Sequence, residues 1–240
     1  ERSWELAVPP NHDGLTPLPL VVGLHGGDEF YSSSRLLALA EDEGFVAVAP
    51  RDAYQDWWMV WEPQRAGYDL SLDNPDIALV DALIDRLGEE LCLDLARVYA
   101  TGFSIGAAGT SVLGCVLDDR LAAVAPVGGV AELGENCNAT RPVPVLAVHG
   151  VNELEVSFEG GAPEWFLGLV MKDGSRVRDS AWGQWLVSAG VRDPVPDRVA
   201  ATAERYGCAP EPVIEPLGEA ERYVWACRDD VGVELIAHDG

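Results

Sequence analysis

The stretch Arg97-Val98-Tyr99-Ala100-Thr101-Gly102-Phe103-Ser104-Ile105-Gly106-Ala107-Ala108-Gly109 decides the fold. Its first five residues, with β-branched and aromatic side chains among them, read as a strand. From Ala107 onward small residues open a helix. Between them lies a Gly-x-Ser-x-Gly motif, Gly102 to Gly106. In this context the serine sits on a strained strand-to-helix turn, and only small neighbours let the backbone pass so closely. The helix N-terminus behind it favours the negative charge that develops on an attacked carbonyl. Ser104 is therefore the candidate nucleophile.

Working outward, short apolar runs alternate with helical patterns. Leu18 to Leu24, Phe45 to Ala49, Leu121 to Val127, Val143 to Val148 and Val231 to Ala237 read as strands, and Trp4 to Val8 as another. Asp76 to Leu87 repeats apolar residues at Ile77, Val80, Leu83, Ile84 and Leu87, one face of a helix. Ser34 to Glu43 and Pro196 to Tyr206 also read as helices. Strands without polar alternation, separated by helices, imply an α/β protein with a parallel sheet covered on both faces. Residues 160–193 break the alternation. They carry Trp165, Phe166, Trp182 and Trp185 and read as an insertion. In a parallel sheet an insertion after a strand's C-terminal end lies near the site.

The chain has 240 residues, enough for a sizeable core, and is read as a single domain over 1–240. Forty Asp and Glu against 16 Lys and Arg give a net charge of −24. Such a surface repels phosphate backbones and anionic membranes, so neither nucleic acid nor membrane is expected as a partner. No apolar run reaches the roughly 18 residues of a membrane span. Both ends read as trimmed: the first residue is Glu rather than Met, and Gly240 closely follows the last strand. The oligomeric state cannot be read from these residues.

Of five cysteines none forms Cys-x-x-Cys, and no Cys/His cluster has zinc spacing, so no metal or other cofactor is expected. Cys208 and Cys227 flank a segment that reads as a hairpin, and a disulfide is expected there. Cys115, in the small-residue helix, is expected to be a core residue. The cysteine count leans towards an oxidising compartment.

Two further segments belong with Ser104. His25-Gly26-Gly27 follows the first buried strand. Such a turn supplies a backbone N–H, at Gly27, to an oxyanion hole completed by the N–H of Ile105. His25 itself is expected to be structural. Val145 to Gly150 is a buried strand ending in His149-Gly150, and the acid of a Ser…acid…His triad belongs just beyond such a strand. Glu153 is the candidate acid, and Glu155 is read as a solvated loop residue.

Several segments together resemble the polyhydroxybutyrate depolymerases, feruloyl esterases and related carbohydrate esterases of the α/β-hydrolase fold. They are Pro17 to Gly27, Arg97 to Gly106, Ala122 to Gly128, Pro142 to Gly150, Tyr206-Gly207-Cys208 and Trp225-Ala226-Cys227. The resemblance runs through nearly the whole chain. It implies a secreted serine esterase acting through an acyl-enzyme on Ser104, with Glu153 in the acid position. The implied partner is an ester substrate: a polyester, or feruloyl or acetyl esters of polysaccharides. Three departures stand out. The family usually has Asp where Glu153 stands. Ile105 replaces the usual Asn or Ala, which narrows the expected acyl pocket. The family's histidine follows the last strand in a Gly-His-x-Trp turn, whereas this chain stops at Gly240 with His238 as its nearby candidate base. A non-catalytic binding domain of the same fold is the alternative, and a peptidase of that fold a weaker one.

Overall fold

Among the described residues nine strands build one sheet: β1 (Ser3–Ala7), β2 (Leu18–Leu24), β3 (Val46–Arg51), β4 (Leu93–Phe103), β5 (Ala123–Val127), β6 (Val145–Gly150), β7 (Val213–Leu217), β8 (Ala220–Trp225) and β9 (Val233–His238). Their order is β1-β3-β2-β4-β5-β6-β9-β8-β7. The computed structural model describes residues 3–26, 29–51, 57, 70–134, 137–171, 173–187, 189–229 and 231–239. The six strands from β3 to β9 in that order run parallel. Antiparallel β1 closes one edge, and the β7–β8 hairpin closes the other.

The helices are α1 (Glu29–Glu43), α2 (Pro75–Glu90), α3 (Ile105–Val116), α4 (Glu164–Leu167), α5 (Ala181–Leu186), α6 (Ala189–Arg192) and α7 (Val195–Arg205). In β3, Val46 and Val48 join the main core while Ala47 joins a second cluster with Ala7 and Ala40. Successive strand side chains face opposite sides, so both faces of the sheet are covered here. This is the α/β architecture expected from the uninterrupted apolar runs. The α2 stripe Ile77, Val80, Leu83, Ile84 and Leu87 is buried as its spacing predicts. The helix begins where Asn74 Oδ1 accepts from Asp76 N at 3.0 Å and Ile77 N at 3.4 Å, with Pro75 in the first turn.

Some limits differ from the sequence reading. β3 continues through Pro50, because pairing with β2 ends at Val48 and Pro50 meets only Trp4 of β1. β4 starts at Leu93 rather than Arg97, and α1 starts five residues before Ser34. The Cys208–Cys227 disulfide joins the flanks of the β7–β8 hairpin. Closing a 19-residue separation stabilises by roughly 3 kcal/mol in the chain-entropy model. Cys115 is a core residue, as its small-residue helix implies, with a disulfide partner the sequence reading did not assign. It is buried in α3 and bonded to Cys137 in a second disulfide. The helix pattern shows burial but not a partner 22 residues away. Cys92 is a free thiol in the α2–β4 connection.

The 160–193 segment lies between β6 and α7 and holds α4, α5, α6 and a short 3-10 turn at Val177–Asp179. Phe166, Leu167, Val177, Leu186 and Val191 sink into the main core, so the segment is built into the body of the fold. Trp165 is exposed; the side chains of Trp182 and Trp185 lie outside those described. Among the described residues no helix is long and apolar enough to cross a membrane.

Candidate active site

The parallel strands end at one edge of the sheet, and β4 delivers Ser104 there. Ser104 has φ 56° and ψ −121°, a region that L-residues seldom occupy. Holding a non-glycine residue in such a region costs about 1–3 kcal/mol, and surrounding contacts must impose it. Ser104 N donates to Val127 O at 2.9 Å, and Ala107 N donates to Ser104 O at 2.9 Å. The flanking glycines are steric requirements. A Cβ on Gly102 would lie 2.3 Å from Gly106 O, and one on Gly106 would lie 2.3 Å from His25 O. Gly129 is a third: its Cβ would lie 2.2 Å from Ser104 O. Each obstacle is backbone and cannot rotate away. Gly106→Ala is therefore expected to destabilise the fold by about 3 kcal/mol, at the upper end for overpacking, as read by urea unfolding.

Ser104 makes no side-chain bond to cap α3, which leaves its hydroxyl free for other work. Ile105 is the first residue of α3, so its N–H has no partner four residues back. Its side chain is buried in the main core, so the bulk that seemed to narrow the acyl pocket packs beneath the elbow. Gly26 lies beside the elbow: a Cβ there would be 3.4 Å from Ser104 Cβ and 3.2 Å from a Phe103 ring carbon. Gly27, the expected second oxyanion donor, lies outside the described residues. His25 is buried, with Nδ1 2.7 Å from Gly26 O. Trp57 donates its Nε1–H to His25 O at 2.8 Å and packs its ring 4.8 Å from the imidazole. These contacts fix the turn as structure. Nothing in the local pattern marked Trp57, because its partner is 32 residues away.

The loop that carries Glu153 and Glu155, the candidate acid loop, leaves β6, two strands from β4 and so about 10 Å across the sheet. Glu153 N donates to Gly150 O at 3.2 Å, turning the chain. Glu153 Oε1 accepts from Leu154 N at 2.9 Å and from Glu155 N at 3.1 Å, which holds the carboxylate against its own loop. Glu155 differs: desolvation, then the negative charge of Glu153, raises its carboxyl above the usual range. The loop is closed behind by buried His149, whose Nε2 lies 2.8 Å from Val156 O. A carbonyl can only accept, so Nε2 carries the proton.

Burial lowers the His149 pKa, and the nearby Arg198 charge adds to that. The sign follows. Below the ordinary imidazole value of about 6.5 the unfolded chain takes up a proton that the folded site resists, so stability falls as pH drops from there. His149→Gln keeps an N–H donor but does not titrate. Urea unfolding at pH 7, 6 and 5 should show the wild type losing more stability than the variant, by up to about 1.4 kcal/mol per pH unit below 6.5.

His238 is the last residue of β9, paired with Gly150 on one side and Ala220 on the other. Its carbonyl accepts from Val151 N at 2.9 Å, and Asn152 Nδ2 reaches Asp239 O at 2.5 Å. The strand end is thereby tied to the start of the acid loop. Alternation puts the His238 side chain on the same face as Glu234 and Ile236. The structure thus brings Ser104, Ile105 and Gly26 together. Glu153 and His238 stand at the ends of neighbouring strands β6 and β9. Arg198, discussed below, was missed as a residue of interest, although an arginine within an apolar helical stripe is a legible signal.

No family model matches the chain. A bifunctional acetylxylan esterase/xylanase of Neocallimastix patriciarum is 32% identical over 145 residues, 59% of this chain and 20% of that protein. A probable feruloyl esterase C of Aspergillus oryzae is 28% identical over 171 residues, 67% of this chain and 58% of that protein. The chain therefore spans less than two thirds of either relative. Among solved structures, an acetyl xylan esterase from Aspergillus awamori aligns with a TM-score of 0.67 at 15% identity, over 99% of this chain and 87% of the other. A poly(3-hydroxybutyrate) depolymerase from Bordetella parapertussis gives 0.50 at 14% identity, over 65% and 61%. Likeness at such low identity speaks to the fold. The chain has the α/β-hydrolase fold, and its sequence is similar to those of feruloyl and acetylxylan esterases.

Proposed function

We propose that this chain is a serine hydrolase of carboxylic esters, a single catalytic domain working through an acyl-enzyme on Ser104. The observation that carries the reading is the positive φ of Ser104 at the head of α3, in a turn packed so closely that Gly102, Gly106 and Gly129 have no room for a Cβ. Strained non-glycine residues cluster at active sites, and a Gly-x-Ser-x-Gly elbow holds its nucleophile in this way. In the reaction, Ser104 Oγ attacks the ester carbonyl carbon and gives its proton to an imidazole base. The carbonyl oxygen becomes an oxyanion received by the N–H groups of Ile105 and Gly27. The C–O bond to the alcohol breaks as the alcohol takes that proton. Water then repeats the sequence and releases the acid. Glu153 is the proposed acid that orients the imidazole, and His238 is the candidate base within this chain.

The proposed substrates are polyhydroxyalkanoate-type polyesters or feruloyl or acetyl esters of polysaccharides, in keeping with the relatives' names. The two disulfides support a secreted protein. The test is hydrolysis of methyl ferulate, acetylated xylan and poly(3-hydroxybutyrate) by the full-length protein. Turnover of at least one, abolished by Ser104→Ala, is expected; turnover of none would reject the proposal.

A further inference from the structure

Helix α7 buries Val195, Val199 and Ala203, and with them Arg198, which has no exposed surface. A guanidinium in an apolar stripe calls for an explanation. Taking the charge out of water is unfavourable, and burial lowers the Arg198 pKa to about 10, against the weaker pull of Asp193 and Glu132. Among the described residues no carboxylate pairs with it within 4.0 Å, and its Nε has no hydrogen-bond partner. An apolar residue of like volume would pack α7 without that penalty.

The partners Arg198 does have are two backbone carbonyls from different loops. Nη1 donates to Val130 O at 2.7 Å, and Nη2 reaches Ser157 O at 3.5 Å, the weaker contact. Val130 directly follows Gly129, which lies against the Ser104 carbonyl. Ser157 follows Val156, whose carbonyl receives His149. Phe158 O in turn accepts from Val195 N of α7 at 2.8 Å. The return leg of the acid loop is thus fastened to α7, and one side chain of α7 fastens the turn behind the nucleophile.

We propose that Arg198 is a positioning residue that sets the acid loop against the elbow, so that it acts on turnover through Glu153. This rests on the assignment of Ser104 and Glu153 made above. The fork geometry matters: two diverging N–H groups can hold two carbonyls at once, which an ammonium cannot do as well.

The experiment is a double-mutant cycle in the full-length protein, with p-nitrophenyl acetate as the probe. Arg198→Met is expected to lower kcat about 10- to 100-fold with KM changed by less than about threefold, as a displaced positioning group does. Arg198→Lys should recover part of the loss. In a Glu153→Gln background, Arg198→Met should lower kcat by less than about twofold more, because the group through which it acts is already disabled. Fluorophosphonate labelling of Ser104 in each variant shows that the elbow is intact. Additive losses, or an Arg198→Met enzyme with wild-type kcat, would overturn the inference. If Arg198→Met fails to fold, Arg198→Lys carries the same cycle with the same criterion. Wild-type kcat in Glu153→Gln alone would instead remove the acid assignment, and an active Ser104→Ala would remove the nucleophile.

Discussion

Replacing Ser104 by alanine is expected to lower kcat by about 10⁴- to 10⁶-fold while leaving the fold intact. The magnitude follows from what is lost. On the proposed mechanism, loss of Oγ leaves no route to an acyl-enzyme, and only substrate binding and backbone N–H groups would remain to help water attack directly. Stability should hardly change, because the Ser104 side chain caps nothing in α3. The strain lies in the backbone, and alanine at φ 56° bears much the same strain as serine. Steady-state kinetics together with a melting curve checks both halves. A variant that keeps its activity would move the nucleophile elsewhere.

Glu153→Gln should rank next, with a loss of several powers of ten in kcat, while Glu155→Gln should stay within a few-fold of wild type. An acid that orients an imidazole must stay ionised, and its neutral amide selects the wrong tautomer. Glu153 is the better placed of the two. Its Oε1 is fixed by two loop N–H groups, and it turns the chain directly beyond β6. Glu155 carries a raised carboxyl pKa and holds no comparable backbone bonds among the described residues. The Gln side chain can still accept those N–H bonds through its carbonyl oxygen, so loop geometry survives and the effect reads charge rather than folding. The reverse ranking would move the acid to Glu155.

Much of the fold was legible because its signals are local. The apolar runs of β2 and β6 and the five-residue stripe of α2 carry their own periodicity, and the Gly-x-Ser-x-Gly motif carries its own backbone demand. The Cys208–Cys227 pair was legible because a hairpin necessarily brings its flanks together. What the sequence could not show is non-local. Cys115 meets Cys137 only because α3 packs on β5 and tertiary structure brings together residues 22 apart in sequence. Trp57 closes the His25 turn from 32 residues away, and Arg198 binds Val130 from 68. The buried position of Ile105 is also a tertiary matter. A motif names the residue after the serine but does not say whether its side chain faces the substrate or the core.

A mass-spectrometric map of the full-length protein after reaction with a fluorophosphonate tests the nucleophile most directly. A strained serine at a helix N-terminus should react far faster than any other hydroxyl in the chain. The predicted result is one adduct, on the peptide containing Ser104, absent from Ser104→Ala. An adduct on a different serine, or equal labelling of wild type and Ser104→Ala, would contradict the account.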